Sequence, residues 1–297
     1  MNHDTMQDAQ SLLNARASDA HPSRRTALKA AVGVGFAASV LPVTAQTLVT
    51  TPSEGLLAGR ITIDVNGYAM PAYRSAPTGA KNAPVVLVVP EIFGVHEHIA
   101  DVTRRLAHLG YLAIAPDLMA RQGDASSYAD MGQLMAQVVY KVPDAQVMSD
   151  LDATVAWAAR NGGDTDRLAI TGFCWGGRIT WLYAAHQSKV KVGVAWYGRL
   201  VGQSTPLTPV HPVEVAAKLN APVLGLYGGA DTGIPLDSVE TMKTALAAGP
   251  AAAKASQFLV YPDTPHAFHA DYRPSYRKEA AQDGWRRLTQ WFLANGV

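Results

Sequence analysis

The sequence has a single cysteine, Cys174, among 297 residues. A lone thiol has no partner within the chain, so a structural disulfide is excluded. Charge is also scarce. Charged residues make up 16% of the chain, the formal net charge is +1, and no long run of one sign occurs. Such a balance lacks the electrostatic footprint of a nucleic-acid or anionic-membrane binder. Internal repeats are absent, and no apolar stretch is long enough for a comfortable membrane span. Apolar residues, at 48%, are plentiful enough for a sizeable core.

Residues 1–45 do not read as part of the fold. A polar start leads to "SRRTALKA", then to a weakly apolar run from Ala30 to Val43, then to the small residues "VTA" at 43–45. A charged segment, a short apolar segment and a small-residue end are the marks of a secretory signal. The Arg24-Arg25 pair resembles the twin-arginine export signal. This predicts handling by the twin-arginine export machinery, cleavage near Ala45 and a periplasmic or exported product, with residues 46–297 forming one domain. The bland alternative is an N-terminal extension with a chance arginine pair. Export sharpens the question of the thiol, because an oxidising compartment favours paired cysteines. Cys174 is then either a buried small hydrophobe or a group with a chemical task.

Past residue 60, strand and helix signals alternate. "GRITIDVNGYAMPAYRSAP" reads as a hairpin turning at Asn66-Gly67. "APVVLVV" is a strand buried on both faces. "HEHIADVTRRLAHLG" places Ile99, Val102, Leu106 and Leu109 at helical spacing. "YLAIAPDL", "RLAITGF", "VKVGVAWYG", "APVLGLYGG" and "ASQFLVY" read as further strands. "SDLDATVAWAARNG", "GGRITWLYAAH", "SVETMKTALAA" and "KEAAQDGWRRLTQWFLANG" read as helices. The first of these opens on a capping box of Ser149 and Asp152. "ALAAGPAAAKA" at 245–255 reads as a helix end and a surface loop. The alternation predicts an α/β fold with a mostly parallel sheet covered by helices on both faces. Ligands of such sheets bind at the carboxyl ends of the strands. Glu91, Cys174, Asp231 and His266 all fall there.

Cys174 sits in "GFCWGG", after a strand, before a helix, and with glycine two residues to either side. That is the arrangement of a nucleophile elbow, with cysteine where serine is usual. The helix that follows offers its N-terminal amides and dipole to a thiolate and to a developing oxyanion. Asp231 and His266 follow in the order nucleophile, acid, histidine that this architecture uses. His266 would move the proton, and Asp231 would fix its tautomer.

With "VVPEIFGV", "APDLMARQG", "GFCWGG", "YGGAD" and "PHAFHADYRPSY", the chain resembles the dienelactone hydrolase family of α/β-hydrolases. The resemblance runs from about residue 60 to 297. It implies an α/β-hydrolase fold with Cys174 as nucleophile, His266 as base, Asp231 as the orienting acid, and Glu91 as a carboxylate that switches the thiol between resting and active states. The amides of Ile92 and Trp175 would form the oxyanion hole by analogy with the fold. Arg121 matches one of two arginines with which the family holds a substrate carboxylate. The other, four residues after the histidine, is Ala270 here, Arg273 is near but not aligned, and Met119 stands where an aromatic is usual. Hydrolysis and the family's own substrate therefore separate.

Some residues carry bland readings. Trp196 and Tyr197 end a strand and either line the pocket or pack in the core. Arg178, in the elbow helix, reads as structural. His96 and His98, two apart, should point in different directions and make no metal motif. The resulting expectation is a monomeric or weakly associated hydrolase that cleaves a small ester or lactone through an acyl-thioester. It would need no cofactor or metal and form no stable membrane association. The alternatives are a thioesterase or acyl transferase on the same triad, or a binding or redox-sensing protein on a hydrolase scaffold.

Overall fold

The computed structural model describes residues 49–297. The expected export signal, residues 1–45, lies outside the described residues. Sixteen strands and helices and a few short turns follow from Leu56 onward. The strands are β1 (Leu56–Val65), β2 (Tyr68–Pro77), β3 (Ala83–Val89), β4 (Leu112–Pro116), β5 (Gly163–Phe173), β6 (Val190–Trp196), β7 (Val223–Gly228) and β8 (Gln257–Tyr261). The helices are α1 (Glu97–His108), α2 (Met131–Gln137), α3 (Asp144–Arg160), α4 (Trp175–His186), α5 (Pro212–Val215), α6 (Leu236–Ala247), α7 (Ala251–Ala255) and α8 (Lys278–Ala294).

The eight strands form one sheet in the order β1-β2-β4-β3-β5-β6-β7-β8. The first hairpin is antiparallel, as is its junction with β4. All later pairings are parallel. The hairpin turns on Asn66 and Gly67, both left-handed at φ 52° and 85°, as the twist of the flanking strands requires. β3 shows why its run of valines is continuous. Val86 and Val88 face a core with Ile99, Val102 and Leu106 of α1 and Leu288 and Phe292 of α8. Val85, Leu87 and Val89 face a second core with Leu151 and Val155 of α3 and Ile179 and Leu182 of α4. This is the α/β-hydrolase fold. The chain leaves β3 toward β4 on one side and returns to β5 on the other. The crevice at that switch is where such sheets bind ligands, and Glu91 and Cys174 follow those two strands.

Three local expectations are corrected. α3 begins at Asp144 behind Pro143, not at Ser149. The proline's fixed φ and the acidic first residue make a stronger start than the Ser-x-x-Asp pattern. Asp152 instead accepts bonds from Tyr183 and Gln187, each at 2.9 Å. Leu109 does not continue the buried stripe of α1 but caps its end, 52% exposed. The loop expected up to residue 255 contains the short α7, launched by Pro250.

Candidate active site

The elbow is sharp. Cys174 lies between β5 and α4 with φ 55° and ψ −116°, a left-handed backbone that a non-glycine residue adopts at a cost. The turn needs close backbone contact on both sides, which explains the flanking glycines. A Cβ on Gly172 would stand 2.2 Å from the Gly176 carbonyl oxygen, and one on Gly176 would stand 2.3 Å from that of Val89. The Cys174 amide donates to the Trp196 carbonyl at 3.0 Å, tying the turn to the end of β6. Arg178, one turn into α4, reaches buried Asp144 through two bonds of 2.7 Å and anchors the elbow helix to the start of α3. Its structural reading holds.

Asp231 follows β7 and His266 follows β8. Asp231 Oδ2 lies 2.6 Å from His266 Nδ1, and its other oxygen accepts the Gly233 amide at 2.9 Å. Both side chains are 1% exposed. His266 Nε2 has no nitrogen or oxygen partner. Burial opposes a charged imidazole here. The Asp231 carboxylate and the charge and hydrogen bond of Cys174 overcome it and raise the His266 pKa well above its ordinary value. The three residues read together from the sequence are therefore brought together.

Glu91 stands at the end of the β3 loop, 1% exposed. Burial would raise its pKa. Hydrogen bonding to His96, the charges of Arg273 and His96, and the Tyr272 hydroxyl reverse this and hold it well below the usual carboxylate range. Tyr272 donates to Glu91 Oε2 at 2.6 Å, and His96 Nε2 lies 3.7 Å from the same oxygen. Arg273 stacks over Phe93 at 4.5 Å and Tyr272 at 4.8 Å, with its Nε unpartnered. Its charge is coupled to both Glu91 and Cys174.

The remaining expected residues divide. Ile92 follows Glu91 and Trp175 begins α4, and neither amide enters a turn or loop bond among the described residues. Arg121 is engaged elsewhere. Its guanidinium pairs with Asp150 Oδ2 at 2.5 Å and lies 4.1 Å over the Tyr68 ring. Trp196 is fully buried, donates to Thr171 Oγ1 at 3.1 Å and stacks with Phe173, so it is core. Tyr197 is also fully buried, with its ring edge-on to His266 at 5.1 Å.

Sequence reasoning missed the part of the site carried by Asp271, Tyr272 and Arg273. Asp271 binds His98 Nδ1 at 3.2 Å, Arg105 at 2.8 Å and the Val49 amide at 3.2 Å, which fixes the loop presenting Tyr272 and Arg273. The available signal was the density of charged and aromatic residues in "HADYRPSY". His96 and His98 do not diverge as expected. His96 caps α1 and its ring stacks with that of His98 at 6.2 Å. Among the described residues no group of three potential ligands could hold a metal ion, and no helix is long and apolar enough to cross a membrane.

Comparison with known proteins agrees with this fold. The model of the dienelactone hydrolase family matches residues 70–295. A protein of Methylorubrum extorquens that bears the name carboxymethylenebutenolidase is 60% identical over 93% of this chain and 94% of its own. One of the same name from Salmonella typhimurium is 56% identical over 88% and 96%. A crystal structure named as a dienelactone hydrolase, from Klebsiella pneumoniae, is 57% identical, covers 80% of this chain and 98% of its own, and superposes with a TM-score of 0.78. With an α/β-hydrolase sheet, an elbow at Cys174 and this degree of likeness along its length, the chain belongs to the dienelactone hydrolase family.

Proposed function

We propose that this hydrolase cleaves a small ester or lactone, with Cys174 as the nucleophile and an acyl-thioester as the intermediate. The observation that carries the reading is the Asp231–His266 pair, 2.6 Å apart, coupled to a thiol on a strained elbow turn. Cys174 Sγ attacks the carbonyl carbon, its proton passing to His266 Nε2. The tetrahedral oxyanion is held by the amides of Ile92 and Trp175. Collapse breaks the bond to the leaving oxygen, which takes the proton back from His266. Water then attacks the thioester with His266 as base, and the thiolate departs with the carboxylic acid formed. Asp231 holds the imidazole tautomer with its Nδ1 proton inward.

Glu91, held ionised by Tyr272, His96 and Arg273, is too acidic in this setting to store the thiol's proton at neutral pH. It acts on the thiol through charge, as a carboxylate that disfavours the thiolate until substrate displaces it. Arg273 replaces Arg121 as the cation of the site, because Arg121 is already paired with Asp150. A small substrate with an anionic group fits this charge. Export is part of the same proposal, supported by Arg24-Arg25 and the segment after it. A reporter fused to residues 1–45 should reach the periplasm, and replacing both arginines with lysine should stop it.

Chromogenic short-chain esters and simple lactones test the reaction. Turnover that iodoacetamide abolishes and that Cys174→Ala lacks is expected. Turnover that survives both treatments overturns the assignment of the nucleophile.

A further inference from the structure

Tyr197 is doubly costly to the fold. It follows β6 with φ 39°, a left-handed backbone that suits a bulky aromatic residue poorly. Five non-glycine residues among those described share such a φ. Asn66 and Asn82 are in turns, while Cys174, Tyr197 and Ala267 are the nucleophile, this tyrosine and the neighbour of His266. Strain of this kind persists where the surrounding structure requires it, most often at functional sites. The second cost is the hydroxyl. Tyr197 is 0% exposed, yet its oxygen has no hydrogen-bond partner. Buried hydroxyls almost always have one.

The unpartnered atoms form a pattern. Eight buried side-chain polar atoms lack a nitrogen or oxygen partner among the described residues, and four of them belong to this site: Glu91 Oε1, Tyr197 Oη, Arg273 Nε, and His266 Nε2, which has only the Cys174 thiol. They are what an incoming polar molecule would satisfy. The Tyr197 ring has no freedom to seek another acceptor. It is fixed edge-on against His266 at 5.1 Å and Phe268 at 5.1 Å, and tilted against Phe173 at 6.3 Å. Burial first, then the charges of Glu91, Cys174 and Tyr272, keep the phenol protonated well beyond its ordinary range, against the charge of Arg273. At neutral pH it is therefore a neutral donor.

We propose that Tyr197 donates a hydrogen bond to the leaving oxygen of the substrate. The inference rests on the hydrolase reading above. The substrate atom bonded to the carbon that Cys174 attacks, and that receives a proton from His266, must lie between those two groups, which are the ones the Tyr197 ring and charge environment adjoin. As the carbon–oxygen bond breaks, negative charge grows on that oxygen. The phenol then strengthens its bond without giving up its proton, and His266 completes the transfer.

The test is Tyr197→Phe, which keeps the ring and removes only the hydroxyl. Wild type, Tyr197→Phe and Cys174→Ala are assayed on two acetate esters, one with a poor leaving group (ethoxide) and one with a good one (p-nitrophenolate). The phenylalanine variant should lose about 30-fold in kcat/KM on the ethyl ester, the size expected for a hydrogen bond to a developing charge. It should lose less than about 3-fold on the p-nitrophenyl ester, whose leaving oxygen needs little help. Its melting temperature should hold or rise, since an unsatisfied buried hydroxyl has gone. Equal losses on both esters, no loss on either, or a fall in melting temperature that accompanies equal losses overturns the proposal while leaving the nucleophile in place. Retained turnover in Cys174→Ala overturns the underlying reading and the proposal with it.

Discussion

Replacing Asp231 with asparagine isolates the electrostatic part of the site. The change is nearly isosteric and keeps an oxygen for the Gly233 amide, so the fold should persist. What goes is the carboxylate 2.6 Å from His266 Nδ1 in a setting where both partners are 1% exposed. Opposite charges about 4 Å apart attract by about 4 kcal/mol at an effective dielectric of about 20. That corresponds to about three orders of magnitude in the population of the imidazolium. The asparagine amide also favours the wrong histidine tautomer. The expected result is a loss of about 1,000-fold in kcat/KM on a chromogenic ester. The stability effect has a definite sign. A raised histidine pKa stabilises the fold fully below the unfolded value of about 6.5, and that contribution is lost as pH rises through the folded value. Denaturant unfolding should therefore show the largest gap between wild type and Asp231→Asn at mildly acidic pH, closing on the alkaline side. A variant within about threefold of wild-type kcat/KM would refute the coupling of Asp231, His266 and Cys174.

Four further outcomes follow from the same structure. Arg121→Ala should cost about 2–4 kcal/mol of stability by leaving the buried Asp150 carboxylate uncompensated, with little change in substrate preference. Arg273→Met should instead lower kcat/KM about 10-fold or more for an anionic ester relative to a neutral one, and the reverse pattern on a paired ester panel would restore Arg121 as the anion receptor. Glu91→Gln reads the carboxylate's protonation. Because the Glu91 pKa is depressed in the fold, its contribution is complete above the ordinary value of about 4.3 and lost as pH falls below it. The stability gap to wild type should hold from neutral pH to about 5 and then close, whereas a gap that widens on acidification would show a carboxylate that stores a proton. Gly176→Ala should destabilise by more than about 3 kcal/mol, since the new Cβ meets two backbone carbonyls at 2.3 and 2.6 Å that cannot give way. A melting temperature near that of wild type would contradict the elbow packing.

The parts of the site legible in the sequence are those that local rules encode. The elbow needs glycines at fixed offsets from Cys174, so its geometry is written into six consecutive residues. Asp231 and His266 follow strands with strong apolar runs, and the sheet gathers strand ends without further instruction. The hairpin at Asn66-Gly67 is a local code as well. Tyr272, Arg273 and Asp271 were less legible because they belong to a loop whose path is set by distant partners, His98, Arg105 and Val49. Arg121 illustrates the converse. Its motif match is good, but what an arginine binds depends on the nearest buried carboxylate, and Asp150 is 29 residues away in sequence. The capping box at Ser149 lost to Pro143 for a related reason, since two competing local signals can be ranked only once Asp144 is seen to pair with Arg178.

The central claim is that an acyl group passes through the sulfur of Cys174. It is tested most directly by mixing the enzyme with excess p-nitrophenyl acetate, quenching in acid within the first turnover, and locating the label by intact mass and peptide mapping. The account predicts one acetyl group per chain, carried on Cys174, together with a burst of p-nitrophenolate of matching size. It predicts no adduct in Cys174→Ala. An acetyl group on any other residue, or full turnover with an unlabelled Cys174 under conditions where the burst is resolved, would contradict it.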